Sequence, residues 1–100
     1  MFETYMELVE EWAEARGILT NGTATAQLLK AVAEMGELAD AHNKMDNAGI
    51  VDGVGDVLVC LINYCAIQGF DPVQCLAVAY DEIKDRKGYL NAAGVFIKLS

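Results

Sequence analysis

Four carboxylates stand inside otherwise apolar helical sequence: Glu34 and Glu37 in AVAEMGELADA, and Asp52 and Asp56 in VDGVGDVLVCLINY. Residues three or four apart on an α-helix share a face. Each pair therefore projects two carboxylates from one side of its helix. Acids close to Val32, Leu38, Val57 and Leu61 are costly unless something cationic meets them. Two facing pairs of oxygen donors suit a hard divalent cation such as Mg²⁺. The chemistry this points to is a metal-assisted reaction on a phosphate ester. Acids at such spacing are also common on solvated helix faces, so a plain surface role stands beside the metal reading.

The elements that must position these groups are helices. The first is expected over Phe2 to Ala15, with Met6, Val9, Trp12 and Ala13 at helical spacing. Arg16-Gly17 ends it, and Leu19-Thr20-Asn21-Gly22 reads as a loop. Thr23 or Thr25 can cap a second helix that runs towards Lys44, interrupted at Asn47-Ala48-Gly49. A third, apolar nearly all round, runs from Ile50 or Asp52 to Ile67 and ends at Gly69. Asp71-Pro72 starts a fourth, which continues to Arg86 or Lys87. The tail from Tyr89 to Ser100 contains Gly94-Val95-Phe96-Ile97, a short strand or an arm for another subunit. The expected fold is a single all-α domain over residues 1–100, a four-helix bundle with a short C-terminal tail. An antiparallel hairpin of the second and third helices would bring the two acid pairs to similar height.

Composition narrows the partners. The net charge is −8, from 15 acids and 7 bases, which argues against a nucleic-acid surface. A polyanionic substrate needs metal ions to neutralise the acids where it binds. Hydrophobic residues make up 54% of the chain, a surplus that a homo-oligomer would cover. Cys60, Cys65 and Cys75 lie among apolar neighbours without C-x-x-C spacing, and are expected to be buried thiols in a reducing cytoplasm. The N-terminus is acidic, unlike a signal peptide. The apolar run Val54 to Ala66 is broken by Asp56 and Asn63 and reads as too short and too polar to span a membrane. His42, the one histidine, is not at E-x-x-H spacing from Glu37, which weakens a di-iron reading.

Residues 5 to 98 resemble the small phage- or cassette-type members of the MazG-like, all-α nucleoside triphosphate pyrophosphohydrolases. The family pattern K-x-x-E-E-x-x-E, hairpin, E-x-x-D is met here by Lys30-Ala-Val-Ala-Glu34-Met-Gly-Glu37 and by Asp52-Gly-Val-Gly-Asp56. WAEARGIL (12–19), AYDEIKDRKG (79–88) and GVFIK (94–98) are also similar. The resemblance implies Mg²⁺ (or Mn²⁺ in its place) held by Glu34, Glu37, Asp52 and Asp56. It implies hydrolysis of a (deoxy)nucleoside triphosphate to the monophosphate and pyrophosphate. The chain departs from the pattern at Ala33 and at Gly53, where an acid is usual; Asp52 can supply the missing ligand. Within that expectation Glu37 is the general base and Glu34 the rival. Lys84 and Arg86 either meet the leaving pyrophosphate or complement the end of the fourth helix. Lys30 either pairs with Glu34 or touches phosphate. Trp12, with Tyr5, either stacks on a base or packs in a core or subunit interface. Asp81 either orients a sugar or adds a metal contact, or is a surface acid. Two further readings are a degenerate nucleotide-binding module without turnover and a purely structural helical oligomer.

Overall fold

A computed structural model describes residues 1–99. Five helices precede a β-hairpin: α1 (Phe2–Ala15), α2 (Ile18–Asn21), α3 (Ala24–Asn43), α4 (Asn47–Gln68), α5 (Pro72–Ile83), β1 (Gly88–Leu90) and β2 (Phe96–Lys98). The all-α expectation holds, with the short strand form of the tail. The strands pair antiparallel, Tyr89 opposite Ile97. Gly94 takes a left-handed φ of 78° in their turn, and Asn91 Oδ1 accepts from the amides of Ala93 and Val95 at 2.9 and 3.0 Å. These are bonds that Asn makes readily in turns.

Three helix boundaries differ from expectation. Residues 18–21 form one helical turn rather than a loop; Gly17 enters it at φ 74°. The fourth helical segment stops at Ile83. The α3–α4 turn lies at residues 44–46, ahead of Asn47-Ala48-Gly49, so those three residues begin α4. Three local bonds explain the shift. The amides of Met45 and Asp46 donate back to His42 and Ala41 carbonyls at 3.0 and 2.9 Å, a Schellman pattern with Met45 at φ 54°. Asp46 then caps α4, its Oδ1 accepting from the Gly49 amide at 3.0 Å. A non-glycine residue at the left-handed position is uncommon, which is why composition points to Gly49 instead.

The α3–α4 hairpin is the body of the molecule. Its 20- and 22-residue arms measure about 30 and 33 Å at the α-helical rise. Thr23 Oγ1 caps the open end of α3 by accepting from the Ala26 amide at 3.1 Å. The two helices approach closely because small residues face each other. A Cβ on Gly53 would lie 3.1–3.2 Å from the Cα, Cβ and Cδ1 of Leu38, and one on Gly49 would lie 3.1 Å from the Cβ of Ala41. Helices α1 and α2 pack on α4, and α5 touches it more sparingly.

The buried apolar residues are Ala13, Ala31, Ala41, Cys60 and Ile62, with Asn63 the buried polar one. Helix α4 is long and apolar enough to cross a membrane. The expectation of a run too short for that is therefore corrected, while Asp52, Asp56 and Asn63 still interrupt its apolar surface.

Candidate functional site

Glu34 projects from the middle of α3, and Asp56 from near the middle of α4. Each is eleven residues from Met45. In an antiparallel hairpin, equal separation from the turn brings residues to the same height. The electrostatics agree: Glu34 feels the negative charges of Glu37 and Asp56 and the positive charge of Lys30. Cys60, buried on α4, feels Lys30, Glu34 and Asp56 together. Thus Lys30, Glu34, Glu37 and Asp56 surround one stretch of the α3–α4 seam.

Glu34 is half-buried, and its Oε2 is sealed from solvent without a hydrogen-bond partner. Its carboxyl is held above the usual glutamate range. The first cause is hydrogen bonding with Glu37, followed by desolvation and by the charges of Glu37 and Asp56; Lys30 opposes them. Two carboxylates can share such a bond only when one carries a proton, so the ionised pair leaves Oε2 unsatisfied. A divalent cation would satisfy it equally well. The donor set, all oxygen and all acidic, fits Mg²⁺ or Mn²⁺. Among the described residues no base lies within ion-pair distance of Glu34, Glu37 or Asp56. Nor are three His, Cys, Asp or Glu side chains already gathered as tightly as a metal cage requires.

The other predicted residues fall into two groups. Trp12 and Tyr5 lie beside the acids: with Leu8, Val9, Val59 and Asp56 they line a groove of about 350 Å³ between α1 and α4. Asp56 therefore belongs both to the acid cluster and to the wall of an aromatic groove. Arg16 covers the Trp12 ring, its guanidinium 4.6 Å from the ring centroid. Trp12 is partly open, at 45% exposure, so a core role for it is excluded in the single chain. Asp52 is exposed and does not figure among the charges that act on Glu34.

Lys84 and Asp81 pair with each other at 3.2 Å. No ion pair or hydrogen bond connects Lys84, Arg86 or Asp81 with the acids among the described residues. Lys30 does not form the expected ion pair with Glu34. It acts on Glu34 and Cys60 from a longer distance, which leaves its ammonium free for another anion.

Two features escape the motif. Asn63, 2% exposed, has an Oδ1 without a hydrogen-bond donor; its signal in the sequence is an amide within an apolar run. Gly53, the position of the absent acid, is buried against the Leu38 backbone. Asp52 cannot be replaced in that role by a longer residue at 53 without parting the helices.

No protein-family model, curated protein or solved structure matches this chain.

Proposed function

We propose that this chain is a Mg²⁺-dependent hydrolase of (deoxy)nucleoside triphosphates, of the MazG-like kind, releasing pyrophosphate and the monophosphate. The observation that carries the reading is the juxtaposition of the Glu34–Glu37–Asp56 acids with an aromatic groove through a single residue, Asp56. A triphosphate nucleotide has matching parts: a polyanion that requires a cation, and a flat base that stacks on aromatic rings.

Mg²⁺ supplies positive charge against the phosphate oxygens and a Lewis acid that lowers the pKa of water. Glu34 and Asp56, on opposite helices and close enough for their charges to interact, would hold the ion; the exposed Asp52 would join them only after a side-chain movement. Glu37, the more exposed acid of its pair, accepts the proton of the water that attacks the α-phosphorus. Trp12 and Tyr5 hold the base, and Arg16 must slide from the Trp12 face to admit it. Lys30, whose charge reaches Glu34 without pairing with it, would be available to a phosphate oxygen. Lys84, Arg86 and Asp81 contribute to this site only from a second copy of the chain or after movement of α5. The exposed apolar residues are the support for a homodimer or homotetramer.

The test is pyrophosphate release from a panel of nucleoside and deoxynucleoside triphosphates, with and without Mg²⁺, beside Glu37→Gln. Mg²⁺-dependent release that disappears in Glu37→Gln supports the reading. A second reading, a nucleotide-binding module without turnover, is favoured by Gly53, whose burial leaves no room for the family acid. Its mark would be Mg²⁺ and nucleotide raising the melting temperature with no release from any substrate.

A further inference from the structure

Helices α4 and α5 enclose an apolar groove of about 600 Å³, lined by Leu61, Ile62, Cys65, Val73, Cys75 and Leu76 among others. The sequence suggests three buried thiols. The structure buries Cys60, leaves Cys65 half-covered and exposes Cys75. Cys65 lies in the last turn of α4, one turn before Gly69, whose left-handed φ of 81° ends the helix. Cys75 lies in the first turns of α5, its amide bonded to the Asp71 carbonyl at 3.0 Å. The short corner between the helices turns both side chains into the same groove, where the Cys75 side chain is near enough to act on the Cys65 thiol.

We propose that Cys65 and Cys75 are a thiol pair that closes into a reversible disulfide clasp between α4 and α5 by exchange with a small-molecule disulfide. The exposed Cys75, as its thiolate, attacks one sulfur of oxidised glutathione. The glutathione S–S bond breaks, and one glutathione leaves and takes up a proton. Cys65 then loses its proton and attacks the Cys75 sulfur, which expels the second glutathione. Two protein thiols are oxidised to one disulfide, and one glutathione disulfide is reduced to two thiols. Order of attack follows from exposure: Cys75 meets solvent, whereas burial first, and the neighbouring Cys75 second, hold the Cys65 thiol above its usual range. In a reducing compartment such a bond is transient, the behaviour of a redox sensor rather than a structural staple. Its mechanical effect is to fix α5, which otherwise has few contacts with the body.

The experiment is incubation of the folded, fully reduced chain with oxidised glutathione, followed by intact mass and peptide mapping. The expected product is a monomer lighter by two hydrogens, with Cys65 joined to Cys75 and Cys60 still free, restored by dithiothreitol. Hydrogen exchange in α5 should slow in that product. Cys75→Ser should abolish the reaction, and its exposed position keeps the fold intact. Cys65→Ser should stop at a glutathione adduct on Cys75. A stable glutathione adduct on Cys75 of the unsubstituted chain would overturn the proposal, as would a disulfide between chains or no reaction with either thiol.

Discussion

Glu34 is the residue on which the site turns. Its carboxyl binds a proton more readily in the folded chain than in the unfolded one, because Glu37 can share that proton and because burial and nearby anions penalise the charge. In EDTA, therefore, this group favours the folded state below the ordinary glutamate range. That contribution is lost as pH rises through Glu34's raised value, so within this window stability increases on acidification. Urea midpoints across the window should show the trend in the parent chain and not in Glu34→Gln. An equal slope in both would remove Glu34 as its source. On the proposed reading Mg²⁺ would compete with the same proton, and any stabilisation by the ion should weaken over the same acid window. Glu37→Gln and Asp56→Asn should each lower pyrophosphate release by at least about a hundredfold, the scale of losing a proton acceptor or a charge-holding ligand. Asp56→Asn should also abolish the rise in melting temperature with Mg²⁺.

At the scale of elements, the α3–α4 seam decides which acids come together and which position is closed to one. Gly53 and Leu38 allow a close crossing, so the position that carries an acid in the pattern is filled by the neighbouring helix. Gly53→Ala introduces a methyl with contacts of 3.1–3.2 Å, one of them to the Leu38 backbone. Overpacking costs about 1–3 kcal/mol and the better helix propensity of Ala returns about 1 kcal/mol, so denaturant unfolding should show a net loss of about 0–2 kcal/mol. A stabilised Gly53→Ala would mean that the helices part freely, and Gly53→Glu would then become a route to the full acid set. Asp46 sets the register of the same hairpin by capping α4. Its replacement by Ala should cost about 1 kcal/mol, measured by the same unfolding curves, and should loosen the amides of the first turn of α4.

The whole chain is poorly covered as a single copy. Its buried apolar residues are mainly alanines with one Ile and one Cys. Its radius of gyration is 16.1 Å, against about 13 Å for a compact domain of this length. Helix α5 presents Leu76, 70% exposed, with Val78, Tyr80 and Ile83 beside it. These exposed apolar surfaces are the ground for proposing a homo-oligomer, which would bury them. Sedimentation should give a mass at least twice the 10.8 kDa of one chain. Leu76→Asp should shift that mass downward, because Leu76 is too open in one chain to matter for its own packing. An unchanged mass for Leu76→Asp would move the interface away from α5.

The sequence by itself determined the four longer helices, because hydrophobic spacing, Asp71-Pro72, Thr23 and Gly69 act within a turn or two of chain, but not the single turn at residues 18–21. It also determined that Glu34, Glu37 and Asp56 could meet, since a hairpin aligns residues equally distant from its turn. It did not locate that turn: Asn47-Ala48-Gly49 looks like the break, yet Asp46 as a cap and the left-handed Met45 place it earlier. Nor could it show that Lys30 leaves Glu34 unpaired, that Asp56 also walls an aromatic groove with Trp12, or that Cys65 faces Cys75. Those facts depend on which faces of α1, α4 and α5 come together. Such contacts join residues far apart in the chain, and packing selects them among many surfaces of similar hydrophobicity.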